Sequence, residues 1–295
     1  MTRAPLDKPP KFVWPPGLPA DAPPPPPEAT AAEAPPGWWR VFEEELLGRS
    51  AGPFTQRAAD VGWTPDSRID SCPRCGSDVR EHEPALADGA AGVDCSWCRE
   101  QRLPWRRFVR LGAYDGVLRD AVLELKFTAW RAVGLELGRL LGQRLKEELA
   151  HARIPEQRVA LVPVPASWRR RLSRGVDHTL VLARGMRQTC DVRLARVLSR
   201  RHGPPQVGLT GADRARNVRG AFRAGGRLPA DTQLVVVVDD VRTTGATMRA
   251  ACREARRFVK RLGVGPVEVW GCAVGVTPTA GVGGLGGGAT ESAQA

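Results

Sequence analysis

The stretch LVVVVDDVRTTGAT, residues 234–247, runs from a buried-looking strand through two adjacent acids into a turn of threonine and glycine. An unbroken run of branched apolar residues reads as a strand covered on both faces, as in a parallel sheet. Beyond Thr247, Met248, Ala251, Cys252, Ala255, Val259 and Leu262 recur at three- and four-residue steps until Gly263. That spacing predicts a helix opening directly after the turn and stopping at the glycine.

In an open α/β sheet, ligands sit outside the carboxyl ends of the strands, and Asp239 and Asp240 stand at such an end. The first N–H groups of the following helix have no intrahelical partner and favour anions. Gly245 lets backbone approach a phosphate, and Thr243, Thr244 and Thr247 add hydroxyl donors. The two carboxylates are acceptors for vicinal hydroxyls. A phosphorylated ribose carries both complements. Three other readings weigh less. A Walker B strand needs a G-x-x-x-x-G-K-S/T partner, and no glycine here precedes a lysine. A phospho-acceptor aspartate pocket leaves the Thr-Gly-x-Thr turn unexplained. A threonine-capped helix beside solvated acids requires neither the acid pair nor the glycine.

The rest of the chain supplies the sheet. VALVPV, 159–164, reads as a second buried strand, VEVWGCAV, 267–274, as a last one, and VRLARVLSR, 192–200, as another. GVLRDAVLELKF, AVGLELGRLLGQRLKEEL and residues 179–188 read as helices. Strands alternating with helices predict an α/β fold, a mostly parallel sheet with helices on both faces. The ends differ. Residues 1–37 hold 13 of the 26 prolines and read as a disordered arm. WWRVFEEELL, 38–47, has near-helical apolar spacing, and residues 277–295 read as a flexible Gly-rich tail.

Cys72-x-x-Cys75 and Cys95-x-x-Cys98 are separated by 19 residues, the spacing of a zinc ribbon. Four thiolates leave a Zn²⁺ no open position, so the ion is expected to be structural. His82 lies between the pairs as a spare ligand, while Cys190, Cys252 and Cys272 fall in apolar patterns and read as core. The domain expectation is an arm at 1–37, a helix and four-cysteine module at 38–112, the α/β domain at 113–276, and a tail.

The chain carries a net charge of +12, yet residues 168–261 alone carry +15. Such a segment suits phosphate-bearing partners, nucleotide or nucleic acid. Solvated helix faces in an arginine-favouring composition account for it equally well. Stacking aromatics, which single-strand binders add, are sparse there: Trp168, Phe222 and Phe258. No apolar run is long enough to span a membrane and no signal layout opens the chain, so the expected location is cytoplasmic.

The 235–247 stretch resembles the phosphoribosyl-pyrophosphate (PRPP) signature of type I phosphoribosyltransferases. LVPVPASWRRRLSRGVDH, 161–178, and QVGLTGADRARNVRGAF, 206–222, resemble two further segments of the ComF/GntX family, the second through Gln206, Leu209, Arg214, Asn217, Ala221 and Phe222. A four-cysteine module ahead of them is typical of that family. The resemblance spans about residues 70–276. It implies a type I phosphoribosyltransferase-like fold, a tie to competence and DNA uptake, and PRPP or a related phosphorylated ribose as ligand. Asp239 and Asp240 would hold the ribose hydroxyls. Thr243, Thr244, Gly245, Ala246 and Thr247 would wrap the 5′-phosphate, with Val241 and Arg242 also in the PRPP-binding stretch. Pro165, Arg170, Arg171, Arg174 and Gly175 would face pyrophosphate, with Mg²⁺ bridging it to the ribose. Arginines there could grip phosphate oxygens in pairs.

Two positions depart from the family pattern. Gly175-Val176-Asp177-His178 replaces G-F-N-Q, and Arg242 stands where tyrosine commonly precedes the threonine pair. Three functions stay in view: a phosphoribosyltransferase of unnamed acceptor, a non-catalytic binder working through single-stranded DNA or a DNA-uptake helicase, and a scaffold using the Pro-rich arm. His178 as a general base is the weaker expectation, because a lone histidine is more often structural.

Overall fold

In a computed structural model, residues 52–78, 95, 98–127, 131–166, 177–200, 220–263 and 265–278 are described, all within one compact unit. The Pro-rich arm, the 38–47 helix, His82, the arginine loop with Arg170, Arg171, Arg174 and Gly175, the 206–219 motif and the tail beyond 278 lie outside them.

Five parallel strands form the main sheet in the order β1-β7-β6-β2-β3. They are β1 (Phe108–Ala113), β2 (Val159–Pro163), β3 (Arg193–Leu194), β6 (Leu234–Arg242) and β7 (Glu268–Val276). The α/β expectation holds. Side-chain alternation sorts the sheet into two cores. On one face Ala160, Val162, Val235, Val237 and Ala273 pack with α5 (Ala246–Leu262) and the four cysteines. On the other Leu161, Val236, Val238, Trp270 and Val274 pack under α1 (Phe54–Asp60), α2 (Gly116–Phe127), α3 (Arg131–Ala152) and α4 (His178–Met186). Both faces are apolar because both are covered, which is why β6 shows no polar alternation up to Val238.

VRLARVLSR does not form one strand. Arg193–Leu194 extends the main sheet as β3, whereas β4 (Leu198–Arg200) turns away and pairs antiparallel with β5 (Phe222–Ala224). A strand the sequence does not announce, β1, forms the edge beside β7. Its central Arg110 is buried, and that position is made tolerable by ion pairs to Asp66 and Asp78.

α3 and α4 meet through glycine. A Cβ on Gly138 would lie 2.4 Å from the Leu182 carbonyl, and one on Gly185 would lie 2.5 Å from that of Leu135. The close approach fixes α4 against α3. The opposite end of α4 is fixed as well: the Thr179 hydroxyl donates to the Val164 carbonyl at 2.8 Å, just past β2. The N-terminus of α4 is thereby held at the carboxyl edge of the sheet.

Candidate functional site: a carboxyl-edge crevice and a four-cysteine centre

The chain leaves β2 through α4 toward β3 on one side, and leaves β6 through α5 toward β7 on the other, with the two helices on opposite faces. Between β2 and β6 the winding reverses, which is where open α/β sheets bind ligands. Pairing of β6 with β2 ends at Val238↔Pro163, while pairing with β7 continues to Arg242↔Val276. Asp239 and Asp240 therefore lie within β6, beyond the reach of β2, at the mouth of this crevice. The strand does not stop at the acids as the valine run alone suggests; it carries them.

Alternation gives the acids different neighbours. Asp240 is buried, and its Oδ2 lies 3.1 Å from Lys126 Nζ at the end of α2 and 3.3 Å from His178 Nε2 at the start of α4. Its Oδ1 accepts the Val241 N–H at 2.6 Å. Asp239 lies toward α5 and accepts the Asp240 N–H at 2.9 Å; burial first, and then the charge of Asp239, raise the Cys252 thiol. Burial, and then the adjacent charge of Asp240, hold the Asp239 carboxyl well above the usual carboxylate range.

Gly245 is the N-cap of α5, in the left-handed region at φ 74°, with no side-chain cap bond. The threonine-capped reading is thus answered by geometry, because glycine alone takes this conformation cheaply. Thr243 and Thr244 are exposed and Thr247 partly so. The turn is open to a ligand. Pro165 follows β2 on the facing side.

Two substitutions in the family pattern acquire local roles. Asp177 caps α4, accepting the Leu180 N–H at 3.3 Å, with the Thr179 hydroxyl oxygen 2.9 Å from its Oδ1. His178 serves Asp240. Arg242 does not extend toward the turn's open side: it is buried, its Nη2 lies 3.0 Å from Ser77 Oγ, and its guanidinium covers the Phe108 ring at 5.4 Å.

Lys126 was not among the sequence candidates. The one available signal was compositional: it is one of five lysines beside 39 arginines. Its partner lies 114 residues away, a relation that spacing does not reveal.

The four cysteines converge. Their ligand atoms all lie within 4.8 Å of one another, all buried, with Cys72–Cys98 at 3.9 Å, Cys75–Cys95 at 3.5 Å and Cys95–Cys98 at 3.7 Å. Sulfurs about 2.3 Å from one tetrahedral ion sit roughly 3.8 Å apart, so the cluster fits a metal such as zinc. The spacing is far beyond the ~2.05 Å of a disulfide. Cys190, Cys252 and Cys272 are buried core residues as expected, and burial pushes the Cys190 thiol up to about 12.

A reversing parallel sheet with acids at its mouth and a fused four-cysteine centre defines the class. No family model matches the chain. It is 30% identical to the DNA utilization protein YhgH of Salmonella typhi over 69% of this chain and 83% of that one. It is 28% identical to Competence protein F of Haemophilus influenzae over 68% and 83% respectively. The DNA utilization protein YhgH of Escherichia coli is 30% identical over 68% and 82%. The chain belongs to the ComF family. Among the described residues no helix is long and apolar enough to cross a membrane.

Proposed function

We propose that the crevice binds PRPP or a closely related phosphorylated ribose and that the protein serves the handling of DNA, as the names of its relatives suggest for them. The observation that carries the reading is the placement of Asp239 and Asp240 on β6 past the end of β2, next to an open turn that begins a helix on a left-handed glycine. Asp239 accepts from the ribose hydroxyls, with Asp240 held beside it by Lys126 and His178. The N–H groups of the turn and helix start, with the Thr243, Thr244 and Thr247 hydroxyls, surround the 5′-phosphate. Pyrophosphate lies toward Pro165, with Lys126 on Asp240 as a nearby cation and the arginines that follow Pro165 in the sequence as further grips.

Transfer, where an acceptor is present, breaks the bond from the anomeric carbon to pyrophosphate. The electron pair leaves with the pyrophosphate oxygen while the acceptor closes on that carbon. The chain's contribution is positioning and charge stabilisation. Mg²⁺ accompanies the ligand. When bound it would supply positive charge where pyrophosphate departs. Zinc in the cysteine centre is structural, and a cytoplasmic setting keeps its thiols reduced.

Thermal unfolding with PRPP and Mg²⁺ tests the reading. Ligand at about a hundred times Kd should stabilise the wild type by ~2.7 kcal/mol. Asp239→Asn with Thr244→Val should abolish that gain while the unliganded fold persists. A gain equal to wild type in this variant removes the crevice as the site.

A further inference from the structure

We infer that the four-cysteine centre clamps the phosphate turn, with Arg242 and Arg249 as positioning residues held by Ser77 and Gln101, so that ligand affinity depends on the metal centre. The inference rests on the reading of Thr243–Thr247 as the phosphate site, and it adds a control to that site.

Each cysteine pair reaches the turn through one arginine. From the first pair, the Ser77 N–H points to Cys75 Sγ at 3.5 Å and the Ser77 hydroxyl meets Arg242 Nη2 at 3.0 Å. From the second, the Gln101 N–H donates to the Cys98 carbonyl at 2.9 Å, and Gln101 Oε1 accepts from Arg249 Nη2. Arg249 Nη1 then donates to the Thr244 carbonyl at 3.0 Å, inside the turn itself. The two side chains converge beneath Gly245: a Cβ there would lie 3.6 Å from Arg242 Cγ and 3.9 Å from Arg249 Nη1. The left-handed glycine thus rests on two guanidinium-bearing stems, each anchored in a different half of the cysteine centre.

The contact is stiff as well as polar. Phe108, under the Arg242 guanidinium, is gripped between Gly76 of the first cysteine turn and Gly271 of β7; a Cβ on either would come 2.6 Å from the ring. An arginine buried at this position loses its hydration and needs fixed partners in return. A module that only filled space against the sheet could use an apolar side chain here. When a metal ion draws the two cysteine pairs together, it also sets the separation of Ser77 and Gln101, and with it the shape of the turn. Loss of the ion releases both anchors at once.

The test uses the full chain with metal bound. In Ser77→Ala with Gln101→Ala, all four cysteines remain, so metal content should equal wild type. Hydrogen exchange at Thr243–Thr247 in the unliganded protein should quicken roughly tenfold, as expected for losing bonds to charged donors, while Val235–Val238 stay protected. PRPP affinity by calorimetry should fall by about the same factor. Turn exchange unchanged from wild type overturns the clamp. In wild type, chelation should free the turn before the strand; simultaneous release overturns the clamp by showing that the metal holds the whole fold. Should wild type bind no PRPP, the function above fails, yet turn exchange still decides the clamp.

Discussion

A buried acid, Glu148, and a half-buried one, Asp239, are treated in opposite ways. Glu148 on α3 receives Arg144 Nη2 at 2.8 Å, Arg68 Nε at 3.0 Å and Arg107, which also stacks over Trp270 at 5.3 Å. Burial pushes its carboxyl up, but the three arginines outweigh that and hold it below the ordinary range. Asp239 has the reverse balance: burial and the charge of Asp240 outweigh Lys126. An acid surrounded by more positive charge than it can use is a fastener. Among the described residues Asp239 is kept short of positive charge, the condition of an acid that can take up an outside partner. Glu148 binds the segment after the first helix, β1 and α3 into one body, and Asp239 stands at the mouth of the crevice, where the proposed ligand would arrive.

The contrast breaks most visibly at Glu148. Glu148→Ala leaves Arg107 and Arg144 buried beside a cavity, and the loss of stability should be about 3 kcal/mol or more. Denaturant unfolding measures it. A loss under roughly 1 kcal/mol would mean that these arginines find water or other acids, and the fastener reading would not stand.

The acids also predict opposite pH dependence. Glu148, held below 4.5, contributes stability that is present above that pH and is lost as pH falls through its folded value. Asp239, held above 3.8, contributes in the protonated form, and that contribution is lost as pH rises through its folded value. Unfolding titrations of Glu148→Gln and Asp239→Asn against wild type should therefore diverge in opposite directions. Glu148→Gln flattens the acid limb. Asp239→Asn removes a decline on the rising side. Matching profiles for the two variants would erase the distinction.

This division of labour was only half legible in the sequence. The valine run, the acids, the turn and the stop at Gly263 follow from local pattern, because a doubly covered strand and an amphipathic helix each write their period into neighbouring residues. The Cys-x-x-Cys spacing carries the metal centre for the same reason. What stays hidden is long-range. Arg110 makes β1 look unlike a strand because its partners, Asp66 and Asp78, sit 44 and 32 residues earlier in the chain. Arg193–Leu194 and Leu198–Arg200 read as one strand because nothing local marks the point where the chain changes sheets. Arg242 reads as a ligand contact from its place in the motif, yet the strand's alternation turns its side chain toward Ser77, 165 residues away in sequence.

The smallest expected effect is also the most specific. Asp239→Asn keeps the shape of the side chain and its ability to accept the Asp240 N–H, but removes a charge that burial and Asp240 both disfavour. At pH 7 the unliganded variant should gain ~1 kcal/mol, the scale on which a buried like charge acts, or roughly 2–4 °C in Tm for a fold of this size. The same change should weaken PRPP binding, because the amide presents one acceptor and a donor where two acceptor oxygens faced the ribose. A structural acid gives the opposite pairing, with stability lost and ligand unaffected. Asp240→Asn supplies that control within the same site. It deprives Lys126 of its counter-charge, so the unliganded protein should lose stability where Asp239→Asn gains it. If both variants shift Tm in the same direction, the two acids share one role, and the chain's separation of anchor from ligand acceptor is lost.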